Sequence, residues 1–149
     1  MQTRTKTNMI ILHCSATKEG ANFKASDIKK WHKQQGWSDI GYHYIIDLDG
    51  TIEEGRDIRY VGAHCSGKNA TSVGICYVGG CDKDMKTKDT RTPQQKQAMY
   101  VLVQYLMNKY NLNIDQVHCH NEYAQKDCPS FRINQFRAEY AVYHNTKTY

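Results

Sequence analysis

The sequence predicts an α/β fold: a single domain in which a central mixed β-sheet is flanked by about three α-helices. Three observations carry that expectation. Short apolar runs with a β-branched bias are interspersed with longer stretches of helical periodicity, a pattern that places strands and helices in one layered unit. No repeat, low-complexity stretch or linker divides the chain, and both prolines, Pro93 and Pro129, stand just ahead of helical segments. The length of 149 residues is the usual size of one domain, and folding at that size buries roughly 70% of the unfolded chain's surface. One domain spanning 1–149 is expected.

The elements follow in order. Asn8 to His13 (N-M-I-I-L-H) is long enough for a buried strand and too short for a stable helix. After a Ser/Thr-rich loop, Ser26-Asp-Ile-Lys opens a helix over 26–35, with Ile28 and Trp31 three apart and Gly36 placed to supply a left-handed cap. From Gly41 to Glu53 the chain reads as two strands around Leu48-Asp49-Gly50, because Asp-Gly takes up the positive φ of a tight turn. Ser72-Val-Gly-Ile-Cys-Tyr-Val suits an interior strand. Thr92, Pro93 and Gln95 mark the start of the longest helix, as cap, first-turn proline and capping-box partner, and Ala98, Val101, Leu102, Tyr105 and Leu106 are read as its apolar stripe. A short strand around Gln116 to His120 comes next. Ser130 is then read as the cap of a last helix carrying Ile133, Phe136, Tyr140 and Tyr143 at helical spacing.

Composition narrows the function. Hydrophobic residues at 40% and charged residues at 23% are near globular averages and unlike disordered, collagen-like or membrane chains. The formal charge of +5 favours polyanions, whether nucleic acid, anionic membrane or bacterial wall, and its sign does not choose among them. No stretch is apolar for long enough to be a membrane helix, and the start Met1-Gln-Thr-Arg-Thr-Lys-Thr lacks the apolar centre of a secretory signal, so synthesis in the cytoplasm is expected. Six cysteines in a reducing compartment read as thiols more than as a disulfide framework. Reduced thiols are available as metal ligands.

The densest chemistry is His118-Cys-His-Asn-Glu-Tyr-Ala-Gln-Lys-Asp-Cys-Pro, with two imidazoles, a thiol and a lysine in one strand-to-loop passage. Alternation along a strand sets His118 and His120 on one side and Cys119 on the other, and either histidine can serve as a ligand. His13, at the end of the first strand, is a candidate third ligand. A lone histidine there is also compatible with a hydrogen-bonded core residue.

Seven motifs then occur in order over nearly the whole chain: Ile10-Ile-Leu-His-Cys-Ser-Ala-Thr, Trp31-His-Lys-Gln-Gln-Gly-Trp, Gly41-Tyr-His, Gly50-Thr, Gly55-Arg-Asp, Val61-Gly-Ala-His and His120-Asn-Glu…Lys126-Asp-Cys-Pro-Ser-Phe. Together they resemble the N-acetylmuramoyl-L-alanine amidases of the phage-lysozyme and peptidoglycan-recognition superfamily, phage endolysins above all. The resemblance implies a zinc ion held by His13, His120 and Cys128, which selects His120 over His118 and leaves His118 without a role. Two histidines and one cysteine leave a fourth tetrahedral position open, the arrangement of a catalytic site.

By the same resemblance Tyr42 handles the water and its proton, Lys126 stabilises the developing oxyanion, and His64 and Asn69 bind substrate. With an ordinary pKa of about 10, Tyr42 fits a water-orienting partner better than a strong base. Cys65, beside His64, departs from the relatives. Cys14 and Cys119 are expected to point into the core, and Cys76 and Cys81 could bridge in an oxidising space. The implied reaction is hydrolysis of the amide between the muramic lactyl group and L-alanine, by an endolysin that acts on the wall after release by a separate membrane-permeabilising protein. Alternatives are a cytoplasmic muropeptide-recycling amidase and a peptidoglycan-binding module without activity, the latter disfavoured by the presence of Cys128. A monomer is expected, and a nucleic-acid partner is not, since only charge suggests one.

Overall fold

The computed structural model describes residues 1–147. Its centre is β1 (Met9–Cys14), an apolar run whose last five residues are all buried, as befits a strand covered on both faces. β1 pairs in parallel with β5 (Ser72–Tyr77) on one side and with β7 (Val117–Cys119) on the other. β3 (Tyr44–Ile46) runs parallel to β5, and β4 (Ile52–Glu54) returns antiparallel to β3, giving the mixed order β4-β3-β5-β1-β7. A pair the sequence did not reveal, β2 (Thr17–Lys18) with β6 (Gly80–Cys81), lies outside this sheet. The β3–β4 turn is made where Asp-Gly predicts it, with Gly50 at φ +88°.

Three α-helices flank the sheet among the described residues. On one face, Ile10, Leu12 and Cys14 meet Val73, Ile75, Tyr77, Val117 and Cys119 beneath α2 (Pro93–Tyr110) and α3 (Ile133–Lys147). On the other, α1 (Ala25–Gln34) sets Ile28 against Ile40, Ile45, Cys76 and Val78. The start of α2 forms as read: the Thr92 hydroxyl accepts from the Gln95 amide at 3.0 Å, and the Gln95 side chain accepts from the Thr92 amide at 2.9 Å.

Two expectations are corrected. The inward residues of α2 are Met99, Leu102, Val103, Leu106 and Met107, while Val101 and Tyr105 are 43% and 54% exposed. At 100° per residue Val101 lies about 200° round the axis from Met99, on the solvent side. Nor does Ser130 cap α3: it sits at φ +74° and its hydroxyl donates to the Gly80 carbonyl at 2.7 Å, three residues before the helix begins. α3 is anchored instead by Phe136 and Tyr140 in the core and by Glu139, which meets the buried Arg91 guanidinium at 3.0 Å. Arg91 also pairs with Asp89 at 2.9 Å and lies 3.8 Å over the Phe131 ring.

Candidate active site

The site lies at the carboxyl ends of the parallel strands, where open α/β sheets bind their ligands. Leu12 of β1 is in register with Cys119 of β7, so the next residues, His13 and His120, emerge side by side with ring centroids 4.6 Å apart. The loop after β7 brings Cys128 back onto β1, where the Cys14 amide donates to its sulfur at 3.2 Å. The Cys128 Sγ lies 3.8 Å from His13 Nδ1. One candidate ligand atom from each of His13, His120 and Cys128 falls within 4.8 Å of the others. Two imidazole nitrogens and a thiol are a donor set that suits zinc.

The electrostatics agree. His13 is fully buried, and burial followed by the neighbouring His64, His120 and Lys126 holds it well below the usual histidine range. Burial and then Lys126 lower His120. Both imidazoles are therefore neutral and have lone pairs to offer at physiological pH. The adjacent Cys14 side chain and burial push the Cys128 thiol upward, so a cation must displace its proton in order to bind.

Of the three, His120 opens onto a groove of about 600 Å³, whose lining also includes His32, Trp37, Tyr42, His64 and Lys126. The Tyr42 ring centroid stands 5.1 Å from that of His13. Burial and the Cys76, Cys128 and Cys14 thiols hold its phenol well above the ordinary value, so it keeps its proton. Lys126 is exposed on the rim. His64 and Asn69 also line the groove, yet their hydrogen bonds run into the protein. His64 is 8% exposed, its Nδ1 lies 2.9 Å from His13 Nε2, and burial followed by His43 lowers its pKa to about 3. The Asn69 side-chain oxygen accepts from the His64 and Cys65 amides at 2.8 and 2.9 Å, tying the loop together.

His118 pairs with Glu122 at 3.2 Å and stands apart from the ligand cluster. Cys14 and Cys119 are in the main core as expected, and Cys76 and Cys81 are free thiols. His32 and Trp37, which the sequence motif contains without assigning them a role, also line the groove. His32 accepts from the Gly41 amide at 2.9 Å through Nδ1, and its ring lies 4.5 Å from that of Trp37. The Trp31-to-Trp37 motif was the signal, but nothing local to it says that its far end walls a groove.

The fold and the His13, His120 and Cys128 cluster together define a class. The N-acetylmuramoyl-L-alanine amidase family profile matches residues 3–131, and the chain belongs to that family. Among its relatives, the endolysin of Escherichia phage T7 is 44% identical over 133 residues, 89% of this chain and 87% of that protein. The solved structure of the endolysin amidase LysCS from Clostridium intestinale URNW superposes with a TM-score of 0.79 at 35% identity, covering 93% of this chain and 86% of that one. Apis mellifera peptidoglycan-recognition protein SA shares the fold, with a TM-score of 0.73 at 24% identity over 92% of this chain and 88% of its own.

Proposed function

We propose that this protein is a zinc-dependent amidase that hydrolyses the bond between N-acetylmuramic acid and L-alanine in bacterial peptidoglycan, working as a phage or prophage endolysin. The observation that carries this reading is the convergence of His13, His120 and Cys128 within 4.8 Å, with His120 opening onto the groove that Tyr42 and Lys126 also line. Bound zinc would supply Lewis acidity, making water a better nucleophile and polarising the amide carbonyl.

The chain's own groups do the rest. His13 and His120, kept neutral by burial, offer lone pairs without a competing proton. Tyr42, whose phenol burial holds well above the ordinary value, orients the attacking water as a hydrogen-bond partner. The Lys126 ammonium faces the groove where the carbonyl oxygen gains charge and stabilises it. As water adds and the C–N bond breaks, the alanine nitrogen leaves with a proton that originates in that water. No helix among the described residues is long and apolar enough to cross a membrane, and access to the wall through a separate permeabilising protein fits the endolysin reading.

The test is to count zinc in purified protein and assay release of alanine-terminated peptides from intact sacculi, for wild type and Cys128→Ala. Stoichiometric zinc and cleavage in wild type, both lost in the variant, are expected. A wild type without zinc, or a variant that keeps zinc and full activity, overturns the reading.

A further inference from the structure

The His64 ring is held on both of its nitrogens. Its Nδ1 is 2.9 Å from His13 Nε2, and its Nε2 is 3.2 Å from the Ser72 hydroxyl oxygen. Ser72, wholly buried at the start of β5, lies 2.7 Å from the Lys68 carbonyl oxygen. A carbonyl can only accept, so the single Ser72 proton points at Lys68. Ser72 must then accept from His64, which places the proton of the neutral His64 ring on Nε2 and leaves Nδ1 as an acceptor. His13 must in turn donate through Nε2. The lone pair of His13 is thereby fixed on Nδ1, the nitrogen 3.8 Å from the Cys128 sulfur.

The backbone makes room for this ring. A Cβ on Gly74, in the middle of β5, would come within 2.6 Å of the His64 ring, and one on Gly62 within 2.7 Å. Both bare positions press against the imidazole, so its placement does not rest on the hydrogen bonds alone.

We infer that His64 is a positioning residue: it fixes the tautomer of His13 through a one-way hydrogen-bond chain, His13 to His64 to Ser72 to the Lys68 carbonyl, that holds Nδ1 ready for a metal ion. The inference deepens the proposed zinc reading and rests on it only for the consequence in affinity. The chain works before any ion arrives. An imidazole whose second nitrogen is held by a partner loses no tautomer freedom on binding, and removal of such a partner weakens metal affinity by roughly 10- to 100-fold.

The test has two arms. In metal-free protein, imidazole ¹⁵N NMR should show His13 as a single tautomer protonated at Nε2 in wild type, and as a mixture in His64→Leu. Zinc affinity by chelator competition should fall by roughly 10- to 100-fold in His64→Leu. It should recover to within a few-fold in His64→Asn, whose amide oxygen stands near the place of Nδ1. A wild-type His13 protonated at Nδ1, or a folded His64→Leu that binds zinc as wild type does, overturns the inference. Should His64→Leu fail to fold, the wild-type spectrum and His64→Asn decide it. A wild type that binds no zinc defeats the proposed cofactor, while the tautomer arm still judges His64 separately.

Discussion

The two faces of β1 have unlike surroundings. Ile10, Leu12 and Cys14 look into a core closed by α2 and α3, where nearly every partner is a hydrocarbon, a ring or a thiol. His13 looks the other way, into a cluster of imidazole, phenol and thiol beside the groove. Leu12 and His13 are consecutive and equally inaccessible. Period-two alternation in a central parallel strand thus lets a single segment serve stability on one side and chemistry on the other. Burial by itself does not tell the two apart; the neighbours do.

Paired substitutions on the strand would break the comparison most sharply. His13→Ala should abolish zinc retention and amidase activity, and a metal-free variant should still unfold cooperatively in denaturant. Leu12→Ala should do the reverse, costing roughly 2–5 kcal/mol of unfolding free energy through the cavity it leaves, with normal zinc content in the folded fraction. If His13→Ala unfolds the protein, or Leu12→Ala strips the metal, the faces are not separable.

Within the chemical face, Lys126→Ala should retain zinc and lower the rate by roughly 10²- to 10³-fold, the usual loss when one oxyanion partner is removed. Loss of metal in that variant would make Lys126 structural. Smaller again is the response to acidity. Because Cys128 is pushed up while His13 and His120 are pushed down, one proton should leave per zinc bound, and affinity should rise about tenfold per pH unit through the neutral range. A flat profile, or a slope of two, would mean that the thiol is already ionised or that a histidine also titrates. The least effect belongs to the opposite face: Thr92→Ala removes the cap of α2 and should cost about 1 kcal/mol in thermal or denaturant unfolding, without altering zinc content.

What could be read from the sequence follows how local each cause is. The Thr92-Pro93-Gln95 start, the Asp49-Gly50 turn and the run ending at His13 are decided by residues a few places apart, and the structure has them all. Val101 and Tyr105 face solvent instead of the core because an apolar residue on a helix announces its type but not its side, which α3 and the sheet decide. Ser130 has the chemistry of a cap but is drawn away by the Gly80 carbonyl, 50 residues distant in sequence. The site divides likewise. The family resemblance that the motifs carry named His13, His120 and Cys128, which the structure brings together. The partnership of His64 with His13 spans 51 residues and depends on register and on Gly74 having no side chain, so no local pattern could announce it.

α3 carries a consequence for how such a chain should be divided. The family profile ends at residue 131, yet Phe136 and Tyr140 fill the main core and Glu139 holds the Arg91 side chain that lies over Phe131. The profile match stops at one boundary and the packed core runs on to another. A fragment trimmed to the recognisable motif would keep every proposed ligand and lose the wall behind them. Anyone grafting this catalytic module onto another scaffold should take its boundary from the packing.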